Sequence, residues 1–245
     1  MRLPSFNPLL MGAILSFVLF NSCVKSPPNF DPRDANNVYS GCRVGSINGI
    51  PFVYNRNNDP VSFIHAGATG TGNPNFFFKY DNKGRLIEYA ALDDKNTFEL
   101  LHRYSYNQQR IVTDTFYFMG TYGSTVSYAS KSIYYPAYDN LNRVVEDSVV
   151  STSFSGATGY SITKYIYNAA GNLDNGYTFD NKLNPHRTNK IWMFIDRNYS
   201  VNNPVPASTY NNAGLPLTFP GKSTLALRFN FNFYDGFTTI AYDCK

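Results

Sequence analysis

The sequence predicts an all-β fold: an antiparallel meander of about ten or more strands, rolled or barrel-like, with one irregular or short helical insertion. Three observations carry this. Tyr and Phe number 20 each in 245 residues and charged residues only 16%, a composition that favours strands and excludes both a disordered chain and a mostly helical one. Apolar and polar residues alternate with a period of two in several stretches. A unit of strand, Tyr, polar turn and strand returns along the chain, and successive hairpins with short turns make a meander that curls to hide its edges. A chain of 245 residues is long enough to bury its own core.

The elements follow in chain order. Arg2 is the only charge before Lys25, and Leu9 to Phe20 is an uncharged apolar run closed by Asn21, Ser22 and Cys23. That run is shorter than the roughly twenty residues of a membrane span and has the anatomy of a secretory signal. Phe20-Asn21-Ser22-Cys23 resembles a bacterial lipoprotein signal, with Phe in place of the commoner Leu at the first position and Asn at the second. The resemblance implies a signal peptide over 1–22, cleavage before Cys23 and lipid on Cys23, hence a membrane partner through the anchor and an outer-membrane location. An ordinary cleaved signal with an incidental Cys, or an uncleaved anchor helix, are the alternatives. No acidic run follows Lys25 and Ser26, which favours the periplasmic face over the cell surface. Val24 to Gly41 holds three prolines and no period of two or 3.6, so 23–41 reads as the lipidated Cys and a flexible tether. Fully extended, such a segment reaches at most about 60 Å. The rest, 42–245, reads as a single rolled β domain. Loss of Arg2 lowers the net charge from +4 to +3, a balance that asks for no nucleic-acid partner.

Beyond Cys23 only Cys42 and Cys244 remain, and in an oxidising compartment two leftover cysteines pair. The expectation is a disulfide from the first strand to the last. Two buried free thiols or half of a metal site are the alternatives. Metal is disfavoured because His65, His102 and His186 are scattered and neither Cys has a second ligand at metal-binding spacing. No metal and no cofactor is expected.

The clearest hairpin unit is Phe76-Phe77-Phe78-Lys79-Tyr80-Asp81-Asn82-Lys83-Gly84-Arg85-Leu86-Ile87-Glu88-Tyr89. Asp81 can accept backbone hydrogen bonds at the start of the turn and Gly84 can take the left-handed conformation that closes it. Related copies start at Tyr138, Tyr167 and Tyr210, with Asn142, Gly171 and Gly214 at the glycine position, and a degenerate copy runs from Tyr106 to Val112. Between them, Phe98, Leu100, His102, Tyr104 and Tyr106 fall on one predicted strand face and Glu99, Leu101, Arg103 and Ser105 on the other. Leu225 to Phe233 alternates most strictly. The Tyr-Asp-x-x-Gly-Arg pattern resembles the tyrosine-aspartate repeats of Rhs-type shell proteins. From about Cys42 onward the chain also resembles Bacteroidetes lipoproteins of unknown function with a porin-like β domain, in which a Tyr-Asp-Asn-Lys-x-Asn-Pro element occurs late; here it is Phe179 to Pro185. That resemblance supplies no catalytic residues.

Arg187 to Pro206 breaks the repeat. Ile191, Trp192, Phe194 and Ile195 fit a short helix or an irregular buried segment, and the stretch reads as a plug or lid against one end of the sheet. Chemistry is sparse: no phosphate-cradling glycine loop, nucleophile elbow or zinc-spaced histidine pair is present. Asp93-Asp94 reads as a solvated turn, and Asn172 to Gly176 has alternating oxygen ligands but lacks the later Glu of a calcium loop. His102 reads as a hydrogen-bonded core residue, with His65 and His186 in loops. The expectation is a non-enzymatic, membrane-anchored lipoprotein that binds a glycan, a peptide or a hydrophobic ligand. The alternatives are a structural accessory of an envelope complex acting through a sheet edge, and a hydrolase of envelope polymers built on two facing carboxylates.

Overall fold

The computed structural model describes residues 31–65, 74–93, 95–123, 125–174, 176–204, 209–220 and 237–245. The predicted signal, Cys23, Asp94 and the alternating stretch Leu225 to Phe233 lie outside the described residues.

The strands are β1 (Cys42–Ile47), β2 (Ile50–Tyr54), β3 (Pro60–Phe63), β4 (Asn75–Tyr80), β5 (Leu86–Leu92), β6 (Thr97–Asn107), β7 (Arg110–Thr121) and β8 (Ser127–Tyr138). They continue as β9 (Val144–Thr152), β10 (Thr158–Lys164), β11 (Phe179–Leu183), β12 (Asn202–Pro204), β13 (Thr209–Tyr210), β14 (Pro216–Pro220) and β15 (Phe237–Cys244). A 3₁₀ turn (Pro185–Thr188) and the helix α1 (Lys190–Asp196) stand between β11 and β12. Thirteen strands form one antiparallel sheet in the order β10-β9-β8-β7-β6-β5-β4-β3-β2-β1-β15-β14-β13, with β11 and β12 paired separately. From β1 to β10 the meander is unbroken. The chain's end returns as β15 beside β1, where Cys42 lies opposite Cys244 and the two are joined by a disulfide. Among the described residues the sheet does not close: β10 ends it on one side and β13 on the other.

One face of β1 to β7 packs on α1. Trp192 and Met193 have no exposed surface, and the Trp192 ring lies 5.2 Å from that of Phe52 and 5.8 Å from that of Phe78. Phe63, Phe76, Tyr89, Tyr104 and Phe194 complete an aromatic core, which accounts for much of the Phe and Tyr surplus as packing. Ala90, Phe98 and Leu101 form a smaller cluster with Tyr117, Tyr122 and Val126. Phe98 therefore does not share the face of His102 and Tyr104. The register shifts between Ala91 and Leu92 as β5 pairs β6, and one extra residue in a strand inverts the faces beyond it.

Two further expectations are corrected. Residues 31–41, read as the end of a tether, are docked. The Ala35 amide donates to Leu141 O at 2.9 Å and the Tyr39 amide to Arg187 O at 2.7 Å. Arg187, 2% exposed, donates through Nη2 to Asp34 O at 2.9 Å and Asn37 O at 2.6 Å. The tether reading rested on missing periodicity, but a strap held through its carbonyls by a buried guanidinium needs none. The degenerate copy at Tyr106 is also a different turn: Asn107 pairs Arg110 directly, and Gln108 takes the positive φ, at 54°.

Candidate functional site

The repeated turn is built by its first polar residue. Asp81 Oδ1 accepts the amides of Lys83 and Arg85, each at 2.9 Å. Asp139, Asn168 and Asn211 take the same position and cap the amides of Arg143, Asn172 and Leu215. Gly84, Asn142, Gly171 and Gly214 close these turns at φ of 72°, 59°, 83° and 76°, which only Gly and Asn adopt readily. Asn55 caps one more such turn, with Asn58 at φ 66°. Sequence reasoning missed it, although Tyr54-Asn55-x-x-Asn58 carries the pattern with Asn in place of Gly.

The Tyr and Arg of the pattern bind one unit to its neighbour. Tyr80, Tyr106 and Tyr138 donate their hydroxyls to Pro60 O, Leu86 O and Ile111 O at 2.6, 2.8 and 3.0 Å. Each acceptor lies at the start of a strand beyond an earlier turn, so each of these three Tyr ties its own turn to the one before it. Burial raises the pKa of all three phenols, that of Tyr138 to about 12, so they remain donors. The Arg after each turn reaches forward: Arg85 stacks over Tyr106 at 4.6 Å, Arg110 over Tyr138 at 5.5 Å and Arg143 over Tyr167 at 4.2 Å. The alignment of turns at one end of the sheet is thus written into the repeat.

The plug is locked by polar side chains. Asn184 accepts the His186 amide, and Asn189 caps α1 by accepting the Ile191 amide at 2.9 Å. His186 is in the 3₁₀ turn and fully buried, not in an exposed loop, with Nε2 2.7 Å from Asp196 Oδ2. Arg197 ends α1 in a left-handed conformation, φ 52°. Its guanidinium donates to Asp147 Oδ2 at 2.8 Å and Asp114 Oδ2 at 3.1 Å, and His102 Nδ1 meets Asp114 Oδ1 at 2.7 Å. Burial opposes ionisation of Asp114, but His102 and Arg197 outweigh it and hold its pKa below the ordinary value. Asp114 and Asp147 are two facing buried carboxylates, and Arg197 sits between them as their shared counter-ion.

Where strap, turns and plug meet there is a cavity of about 290 Å³. Gly84, Arg85 and Leu86 come to it from one turn unit, Tyr106, Gln109, Arg110 and Ile111 from the next, and Tyr138 and Asn142 from a third. The plug supplies Lys190, Ile191, Phe194 and Tyr199, and the strap Ala35 and Asn36. Leu86, Ile111, Ile191, Phe194 and Tyr199 are buried, while Arg110 and Lys190 are exposed, so the lining is apolar within and cationic at the rim.

The remaining candidate residues stay apart from this site. Gly171 and Gly214 serve other turns. Asp93 caps its own turn by accepting the amides of Lys95 and Thr97. The Asn172 amide group is engaged by Asn202, Nδ2 to Oδ1 at 3.1 Å and Oδ1 from the Asn202 amide at 2.8 Å, so it is not offered to calcium. His65 follows β3 with its ring 5.1 Å from that of Phe63. Among the described residues no group of three or more His, Cys, Asp or Glu could hold a metal ion. The far end of the sheet differs in kind. Every residue of β10 is exposed, with Tyr160 at 68% and Ile162 at 50%.

Fold and site define an open antiparallel β-sheet protein with a helical plug and a small turn-end cavity. No protein-family model matches the chain, and no curated protein matches it. Among solved structures it is similar to a porin-like protein from Bacteroides vulgatus, with 14% identity and a TM-score of 0.42 over 82% of this chain and 98% of that one. A protein of unknown function from Bacteroides fragilis shows 11% identity and a TM-score of 0.19 over 48% of this chain and 94% of that one.

Proposed function

We propose that this chain is an envelope lipoprotein, anchored through lipid on Cys23, whose β domain binds a small hydrophobic ligand without acting on it. The carrying observation is the cavity: an apolar recess with a few polar groups at its rim, set among rigid elements, has the make-up of a ligand site. Its volume of about 290 Å³ suits a small molecule better than a glycan chain or a peptide. The hydrolase alternative has its two carboxylates in Asp114 and Asp147, but both are held by Arg197 beneath the plug. A general acid or base needs reach to a substrate proton; these read as structural.

Filling the cavity tests the binding reading. Native mass spectrometry of the protein released from membranes should show a small-molecule adduct that Ile111→Trp lacks; identical masses would dismiss it. Replacing Cys23 with Ser tests the anchor, which predicts that the protein leaves the membrane fraction.

The edge of the sheet supports a second reading, a structural accessory that receives a strand from another envelope protein. β10, the outermost strand on its side among the described residues, is seven residues long with no Pro and only a terminal Lys, so it lacks the usual guards of an edge. Tyr160→Lys combined with Ile162→Lys should then lower the mass of the native complex extracted in mild detergent, and an unchanged mass would reject this role.

A further inference from the structure

The rim of the cavity is charged in one sense only. Among the described residues Arg85, Arg110 and Lys190 line it and no Asp or Glu does. Arg85 is already neutralised, with Nη2 2.6 Å from Asp81 Oδ2. Among the described residues Arg110 and Lys190 have no ion-pair partner. Arg110 Nη2 donates to the neutral Asn142 Oδ1 at 2.7 Å and stacks on Tyr138, which orients the guanidinium without cancelling its charge. Lys190 makes no ion pair among the described residues, although Asp59 feels its charge. Two exposed cations therefore line the same cavity as Leu86, Ile111, Ile191 and Phe194, all buried.

A ligand with a neutral head would leave both cations to water, whereas an oxyanion would take charge-assisted hydrogen bonds from both. The volume of about 290 Å³ equals roughly ten water molecules of liquid, room for a short acyl chain or a ring system with one head group. We infer that the cavity takes a small amphiphile bearing an oxyanion, its apolar body against Ile111, Ile191 and Phe194 and its carboxylate or phosphate on Arg110 and Lys190. The inference rests on the ligand-binding reading above and names the class of ligand.

Calorimetry on the full-length protein in nanodiscs, with empty nanodiscs as the blank, tests it with four probes sharing one tail: octanoate, octyl phosphate, octanol and octylamine. The two oxyanions should bind at about one per chain, the tighter of them showing whether the natural head group is a carboxylate or a phosphate. Arg110→Gln with Lys190→Gln should weaken them by about tenfold or more, the loss expected for charge-assisted hydrogen bonds. Lys190→Gln alone, at an exposed position, repeats the test should the double variant melt early. If octanol or octylamine binds as well as octanoate, or the variants lose nothing, the charge assignment fails while the cavity reading stands. If no probe binds, or Ile111→Trp leaves binding intact, both fall.

Discussion

The two flanks of the same sheet are made of similar residues and yet differ in what covers them. Along β1 to β7 one face is filled by α1 and the strap 31–41, the turns of Tyr80 and Tyr106 are tied to their neighbours, and Trp192, Phe63 and Phe76 are buried to 1% exposure or less. Beyond it the cover thins: on β9 Val144 and Val149 are still buried, but on β8 and β10 Tyr135 is 44% exposed, Tyr160 68% and Ile162 50%. Alternation alone therefore does not make a core. The covering element does, and the buried polar groups of Arg187 and Arg197 hold it in place. The cavity sits at the turn end where strap, plug and turns meet, and β10, the outermost described strand, lies away from it.

The contrast is broken most severely by removing the cation that joins plug to sheet. Arg197→Gln would leave buried Asp114 with His102 alone and buried Asp147 with only the Tyr165 hydroxyl, and loss of about 3 to 5 kcal/mol is expected in urea unfolding. Loss of less than about 1 kcal/mol would mean that the network is solvated.

Turn glycines sharpen it next. Gly84 and Gly171 share a positive φ, but a Cβ at Gly84 meets nothing nearer than 3.8 Å, whereas at Gly171 it meets Arg33 Cγ at 2.6 Å and Val201 Cγ2 at 3.0 Å. Gly84→Val should lose about 1 to 3 kcal/mol and Gly84→Asn distinctly less, because Asn tolerates the left-handed region. Gly171→Asn should lose clearly more than Gly84→Asn and free the strap for proteolysis near Arg33. Equal losses at the two sites would show that backbone conformation alone decides.

The acid limb of stability gives a third test. Asp114 has its folded pKa below its ordinary value of 3.8, so its contribution is full above that value and is lost as pH falls through the folded pKa. The difference in unfolding free energy between wild type and Asp114→Asn should therefore shrink below about pH 4. A difference constant down to pH 2 would place Asp114 outside the linkage. The smallest effect belongs to the uncovered flank: Tyr160→Ala or Ile162→Ala should change stability by no more than about 0.5 kcal/mol, and a larger loss in a monomeric sample would reveal an unseen covering.

Much of the covered flank was legible in the sequence. The all-β meander, the turn chemistry of Asp81 and Gly84, and the plug around Trp192 follow from period, turn residues and the break in the repeat, all local signals. What was not legible depends on partners distant in the chain. Arg187 grips carbonyls of Asp34 and Asn37, Arg197 joins Asp114 to Asp147, and Arg110 stacks on Tyr138; no spacing rule announces such pairs. The strap misled for the same reason, since irregular backbone docked through its carbonyls carries no period. At β6 a single bulge moved Phe98 to the other cluster, an event that alternation cannot foresee. The edge was hidden too: nothing in Thr158 to Lys164 says that it is the outermost of the described strands.

Amide hydrogen exchange of the full-length protein, with and without octanoate, tests the division between the two flanks and the place of the cavity together. Without ligand, the amides of β10 should exchange fastest among the strands and those of β5, β6 and α1 slowest. Octanoate should slow exchange at Leu86, Arg110, Ile111 and Ile191 and leave β10 unchanged. Protection of β10 equal to that of β6, or slowing by octanoate at β10 and not at the turn end, would contradict the account.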